Sequence, residues 1–250
     1  MPATLLRAPS RDSDSVVLSL RSADDGEIIH IPPWMLTPSL MADTQPFRKF
    51  RSYKDQQHYS GTYWSSTESS HVIYESRLEL SRLVIADFDP TIERIFAQPL
   101  MIRARIDERA RRHIPDFLLI RGADLTFVAV KPRDRLDEPK VAETLAWVGE
   151  VVESCGWGFE VASEPAQPFF DNVRFLAGYR RKHMISAEAL AQLRAMTLPG
   201  MTFGEAVRRA SAPEPLVRAA LLHLLWTHEA RTDLSLVLSD KALLTSGGRK

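Results

Sequence analysis

RRHIPDFLLIRGADLTFVAVKP, Arg111 to Pro132, sets two alternating runs on either side of a polar turn. RHIPDFLLI and LTFVAVKP each alternate apolar and non-apolar residues around RGAD, the side-chain period of paired strands, so a β-hairpin is expected here. With that period Asp116, Leu118 and Ile120 share one face of the first strand, and Ala129 and Lys131 share one face of the second. A buried sheet holds an unpaired charge only at a large cost in free energy or with a shifted pKa. Asp116 and Lys131 are therefore expected to face each other across a site, an arrangement that serves chemistry rather than packing.

A Pro-Asp on one strand and an X-Lys on the next form the core of the PD-(D/E)XK nuclease pattern. Hard oxygen ligands there suit Mg²⁺, which activates a water and neutralises charge growing on a phosphate, while the lysine ammonium adds a point charge. The position two before Lys131 is Ala129 rather than Asp or Glu, so a second acid has to come from elsewhere. YESRLELSRLVIA, Tyr74 to Ala86, reads as a helix with Tyr74, Leu78 and Leu83 or Val84 on one stripe, preceded by the serines of SSH as N-caps. Glu75 and Glu79 lie four apart on one face of it, and either can lean over the hairpin.

The succession YWSSTESSHVIYESRLEL, LVIADFDPTIERIFAQPL, RRHIPDFLL and AVKP resembles the TnsA-like endonuclease subunits of heteromeric transposases, from about residue 47 onwards. The resemblance implies a restriction-endonuclease-like α/β fold, a mixed sheet flanked by helices, with a small C-terminal winged-helix-like domain. It implies a glutamate in an S-X-L-E setting, matched by Ser76-Arg77-Leu78-Glu79, which selects Glu79 over Glu75. Asp116 is then the PD aspartate and Lys131 the lysine, and the metal ligands are Glu79, Asp116 and groups beside the lysine. With alanine at 129, where a relative has glutamine, the backbone carbonyl of Val130 is the ligand left at that position. Gln98 before Pro99 also recurs in the family, either supporting the site or as an ordinary satisfied polar residue. The implied activity is Mg²⁺-dependent cleavage of the 5′ ends of a mobile element, with Mn²⁺ as substitute. The implied partners are double-stranded DNA, a DDE-type transposase that cuts and joins the 3′ ends, and an ATPase regulator, with activity dependent on them. A nuclease fold that has lost its chemistry and acts as a DNA-binding or assembly subunit is the second reading, and a stand-alone restriction-type enzyme the third.

Composition bounds these readings. The chain has 250 residues, 44% of them hydrophobic, enough for a generous core. No apolar run approaches a membrane span and the first residues lack a hydrophobic signal core, so no membrane partner and a cytoplasmic location are expected. A lone cysteine, Cys155, supports neither a disulfide nor a zinc site. Thirty-two basic against 32 acidic residues argue against unspecific DNA binding by the whole surface, so local patches or partners must supply affinity.

In chain order, residues 1–45 should form a tail and a hairpin, VVLSL and EIIHI around ADDG, followed by a proline-rich linker. The nuclease domain is expected over 46–180 and the winged-helix-like domain over 184–246. Phe47 to Trp64 interleaves Arg48, Lys49, Arg51 and Lys54 with aromatics, as in a segment touching nucleic acid or as aromatics sealing a core edge. Asp87 to Ile106 should give a turn at Asp89-Pro90 and strands of the central sheet. Arg103, Arg105, Arg109, Arg111 and Arg112 either hold phosphates beside the scissile one or form a solvated edge. His113 falls opposite to Asp116 if the strand is regular, for a structural or phosphate-contacting role. A covering helix follows, with Val141, Leu145, Val148 and Val152 in line, then a strand over Gly156 to Glu164. Phe169 to Met184, with its basic run Arg180, Arg181, Lys182 and His183, closes the first domain. Helices starting near Ser186, Thr202 and Pro215 and a pair of short strands complete the chain. The third helix, Leu216 to Glu229, offers only Arg218, His223 and His228 to a DNA groove and reads better as a core or docking helix.

Overall fold

The computed structural model describes residues 16–48, 60–106 and 108–247. They form a mixed α/β structure with seven α-helices and several sheets. In order these are β1 (Val17–Ser22), β2 (Ile28–Ile31), α1 (Pro38–Ala42), β3 (Thr44–Gln45), β4 (Gly61–Ser65), β5 (Ser70–Tyr74), α2 (Arg77–Phe88), β6 (Arg94–Ala97), β7 (Met101–Ile106), β8 (Arg109–His113), β9 (Phe117–Arg121) and β10 (Asp124–Val130). After them come α3 (Pro139–Ser154), β11 (Gly158–Ala162), α4 (Phe169–Leu176), α5 (Ala187–Arg194), α6 (Phe203–Arg209), α7 (Glu214–Trp226), β12 (Ala230–Arg231) and β13 (Thr245–Ser246).

Two compact units divide the chain, residues 1–80 with 92–164 and residues 81–91 with 165–250. This division differs from the expected boundaries at 46, 180 and 184. The first unit takes in the N-terminal hairpin because β1 pairs with β7 as well as with β2. The segment that was to close the first domain, α4, belongs to the second unit. The prolines expected to form an extended linker instead start a 3₁₀ turn at Pro33–Met35 and α1, where Pro38 occupies the first turn and Thr37 caps it by accepting the Leu40 N–H.

The first unit holds a four-stranded sheet, order β11-β10-β9-β6, and a five-stranded sheet with path β2-β1-β7-β8 and β3 beside β1. The expected hairpin is β9–β10, with Arg121 paired to Asp124 across a two-residue loop and Gly122 at φ +57°, a conformation that suits glycine in a tight hairpin turn. Strand β10 then pairs in parallel with β11 through the crossover helix α3. Leu18, Leu20, Ile102 and Ala104 of one sheet, Leu118, Ile120, Leu125 and Phe127 of the other, and Trp147, Val148 and Val152 of α3 are buried in one hydrophobic core.

Two differences from the sequence reading matter for the site. RHIPDFLLI is not one strand: β8 pairs with β7 in the five-stranded sheet, and β9 pairs with β6 and β10 in the four-stranded one. The chain changes sheets at Ile114-Pro115-Asp116, where proline has no N–H to give a ladder. Of the strands expected to build the central sheet from Asp87 to Ile106, only β6 does so; β7 lies in the other. The helix expected from Tyr74 starts at Arg77, because Tyr74 ends β5, a strand paired with β4 whose alternation the helical stripe had obscured.

The second unit gathers α4 to α7 around an apolar α7, in which Val217, Ala220, Leu221, Leu224 and Leu225 are buried. Ser186 caps α5 and Thr202 forms a capping box with Glu205 on α6, as their spacing suggested. The expected strand pair is limited to β12 and β13; the chain between them is held by backbone bonds of residues 240–244 to residues 200–204 and by a side chain of α4. Asn172 on α4 donates from Nδ2 to the carbonyls of Leu234 and Leu236, and its Oδ1 accepts the Leu238 N–H.

Candidate active site

Glu79 is set by the first turn of α2. Ser76, at the cap position, accepts the Glu79 N–H at 3.1 Å and donates its hydroxyl to Glu79 Oε1 at 3.1 Å, while the Glu75 N–H donates to Glu79 Oε2 at 2.7 Å. The S-X-L-E motif is thus a capping device that fixes the carboxylate it carries. Glu79 is only 9% exposed. Burial pushes its carboxyl up to about 7; the Glu75 N–H and the Ser76 hydroxyl oppose this, and the negative charges of Asp116 and Glu75 add to it.

Asp116 stands at the entry to β9. Its N–H donates to the carbonyl of Val128, the residue that pairs with Phe117, at 2.9 Å, while its own carbonyl accepts the Gln98 N–H at 2.8 Å, so Asp116 leaves the regular ladder at the start of β9. Its Oδ2 accepts the Val130 N–H at 2.6 Å. Burial raises its pKa, against the pull of the Val130 N–H, Lys131 and Arg48, and with a further push from Glu75. In an extended strand the N–H and C=O of one residue point to the same edge, so the Val130 carbonyl faces the Asp116 side too. The Lys131 N–H points the other way, to Ala162 O at 2.9 Å. Lys131 follows Ala129 on its face, and its charge is felt at both Asp116 and His113.

The structure therefore brings Glu79, Asp116, Val130 and Lys131 together. Glu75 joins them differently: its carboxylate is taken by Arg48, Nη1 to Oε2 at 2.7 Å. His113 ends β8 in the five-stranded sheet, so the regular alternation that related it to Asp116 does not run through to β9. It feels the charges of Lys131 and Arg48, and its ring meets Trp147 edge-on at 6.3 Å. Burial, followed by those two cations, pulls its pKa down to about 4. Gln98 is buried beside the site at φ +47°, its N–H donating to Asp116 O at 2.8 Å and its carbonyl accepting the Phe47 N–H at 2.9 Å. Among the described residues, Gln98 Oε1 and His113 Nε2 are buried with no hydrogen-bond partner.

Arg48 is the residue the sequence reading undervalued. It stood in a basic and aromatic run weighed only as a whole, and most of that run, residues 49–59, lies outside the described residues. The missing signal was tertiary: Arg21 donates twice to Phe47 O, at 3.1 and 3.0 Å, and holds the chain beside Gln98.

The arginine group splits. Arg103 pairs with Arg112 across β7–β8, and with Arg105 they occupy the exposed face of the five-stranded sheet, beside Val17 and His30. Arg111 turns to the other face and donates to Glu143 on α3 at 2.6 Å. Arg105 bonds Glu108. Arg180, Arg181 and Lys182 belong to the second unit, where Arg180 bonds Ala177 O. On α7 the groove-reading groups are engaged: Arg218 with Glu214 and Asp240, His223 with Tyr179 O at 2.7 Å, and beyond the helix His228 with Phe88 O at 2.6 Å. That is the pattern of a core helix.

The donor set of Glu79, Asp116 and the Val130 carbonyl is all oxygen, as a hard divalent cation requires, and Mg²⁺ commonly completes its shell with water. Two desolvated carboxylates with raised pKa values also fit a cation that would neutralise them. Among the described residues no group of three or more His, Cys, Asp or Glu side chains is arranged to hold a metal. No family model matches the chain and no curated protein matches it. Among the described residues no helix is long and apolar enough to cross a membrane.

Proposed function

We propose that this chain is a Mg²⁺-dependent DNA endonuclease subunit of a heteromeric transposase, cutting the non-transferred 5′ ends of a mobile element. What carries the reading is the fixing of Asp116 to the strand of Lys131, with the Glu79 carboxylate within electrostatic reach. The order α2-β6-β9-β10-α3-β11, a mixed sheet with crossover helix, supports a restriction-endonuclease-like core, and α5 to α7 with β12–β13 support a winged-helix-like module. Glu79, Asp116 and the Val130 carbonyl would hold Mg²⁺ or Mn²⁺, which supplies Lewis acidity and an activated water when bound. Lys131 orients that water and offsets charge on the phosphate, as its ammonium stands on the face shared with Ala129. A DDE-type transposase and an ATPase regulator are the partners this reading assigns.

The test is a thermal-shift titration with Mg²⁺ and Mn²⁺ on wild type, Glu79→Ala and Asp116→Ala, followed by strand-specific cleavage with the assembled transposase. Metal at a hundredfold over its dissociation constant stabilises the wild type by about 2.7 kcal/mol, and neither variant responds. Cleavage unchanged in Asp116→Ala or Lys131→Ala would sink the proposal. One observation favours a second reading, a nuclease fold kept as a DNA-binding or assembly subunit: Ala129, fully buried two residues before Lys131, brings no side-chain ligand.

A further inference from the structure

Arg48 is held at the site by two arrangements. On the chain side, Arg21 grips Phe47 O and the Phe47 N–H donates to Gln98 O, while the Gln98 N–H donates to Asp116 O. Arg48 is therefore one residue from a backbone ladder that ends at Asp116. On the side-chain side, its guanidinium pairs with the Glu75 carboxylate at 2.7 Å, and the Glu75 N–H donates to Glu79 Oε2 at 2.7 Å. One cation is thus paired with Glu75 and felt at Asp116, half exposed, with 48% of its side chain accessible.

An exposed ion pair of this kind contributes little to stability, since solvent screens it and two long side chains must be ordered. Guanidinium is, however, the side chain whose planar fork matches a phosphate with two parallel hydrogen bonds. We propose that Arg48 is a phosphate-binding residue masked by Glu75, and that a nucleic-acid phosphate entering the site displaces the Glu75 carboxylate from it. The inference rests on the nuclease reading for the identity of the ligand, a DNA phosphate next to the one to be cut. The exchange is isoelectric at Arg48: one anion replaces another, and Glu75 turns to solvent, where it is already about one-third accessible. Without DNA the pair keeps the cation from drifting onto Asp116 and Glu79, and so leaves those carboxylates for metal. With DNA the cation moves from carboxylate to phosphate.

The experiment is a double-mutant cycle read by fluorescence anisotropy of a labelled 30-base-pair duplex in EDTA, so that no strand is cut. Wild type, Glu75→Gln, Arg48→Ala and the double variant are titrated across a salt series. Glu75→Gln, which unmasks Arg48, should tighten binding on the order of tenfold. Arg48→Ala should weaken it and reduce the slope of log K against log salt by about one phosphate's worth. In the Arg48→Ala background, Glu75→Gln should then change little. Equal tightening by Glu75→Gln in both backgrounds would mean that Glu75 is only a repulsive charge, and would overturn the masking while leaving the nuclease reading intact. Absence of duplex binding by both wild type and Glu75→Gln would also overturn it, with metal binding still measured separately by thermal shift. Loss of the metal response with the cycle intact would instead remove the nuclease chemistry and keep Arg48 as a phosphate site.

Discussion

The Asp116 carboxylate accepts the Val130 N–H at 2.6 Å, so the acid of one strand is fixed by the backbone of the strand that carries the lysine. Asp116→Ala leaves that N–H without its acceptor and should lower the unfolding free energy by about 1–3 kcal/mol. Asp116→Asn keeps an acceptor and removes a desolvated charge, so in EDTA at neutral pH it should be at least as stable as wild type. Urea unfolding of the three proteins checks the order Asn ≥ wild type > Ala.

For the proposed metal site, Ala129 is the position to test. Ala129→Gln places an amide oxygen on the strand that holds Asp116 through the Val130 N–H, and should strengthen Mg²⁺ binding. The same change puts a long side chain into a fully buried position, and overpacking costs about 1–3 kcal/mol. Isothermal titration with Mg²⁺, alongside apo melting, should show tighter metal and a lower Tm together. A lower Tm with unchanged affinity would place position 129 outside the ligand shell.

The two titrating neighbours oppose one another. Glu79 has its pKa raised from 4.5 to about 7, so the folded state keeps a proton that the unfolded chain loses; this stabilisation is full below pH 4.5 and is lost as pH rises through 7. His113 has its pKa lowered from 6.5 to about 4, so its contribution is full above pH 6.5 and is lost as pH falls through 4. Over the shared window these two slopes oppose one another, and the raised pKa of Asp116 adds to the fall from Glu79. Glu79→Gln should expose a rise with pH between 4 and 6.5, and His113→Phe a fall between 4.5 and 7, each up to about 3 kcal/mol. Unfolding free energies measured at half-unit pH steps would show both.

Ser76 acts on Glu79 from both ends of one hydroxyl. Ser76→Ala removes a helix cap and should cost about 1 kcal/mol. It also frees Glu79 Oε1, so Mg²⁺ affinity should fall without disappearing, whereas Glu79→Ala abolishes it. Ser76→Thr, which keeps the hydroxyl, should restore most of both.

The hairpin was legible because two-residue alternation around a glycine turn admits few other structures, and that alternation also set Asp116, Ala129 and Lys131 on one face. The helix face alone left Glu75 and Glu79 both open and the resemblance pointed to Glu79; the S-X-L-E setting behind that choice is a local cap of α2. The sheet change at Pro115 was not, since RRHIPDFLL alternates through it without pause; which sheet a strand joins is decided by its partners. Alternation could not relate His113 to Asp116 for that reason. The start of α2 differs because Tyr74 falls in line with Leu78 on a helical stripe, and only the β4 partner shows that it ends a strand. Arg48 escaped because its position depends on Arg21 and Gln98, 27 and 50 residues away in sequence.

The sheet change also acts as a ruler. Arg112 lies on the exposed face of one sheet and Asp116 at the entry to the other, four residues on, and extended chain spans at most roughly 14 Å over that interval. For the proposed nuclease, a strand gripped at Arg112 meets the carboxylates within about four nucleotides at 3.4 Å per step. Peptide geometry bounds that interval from above, so inserting a residue at Ile114-Pro115 lengthens the reach between the two sheets by at most roughly 3.6 Å.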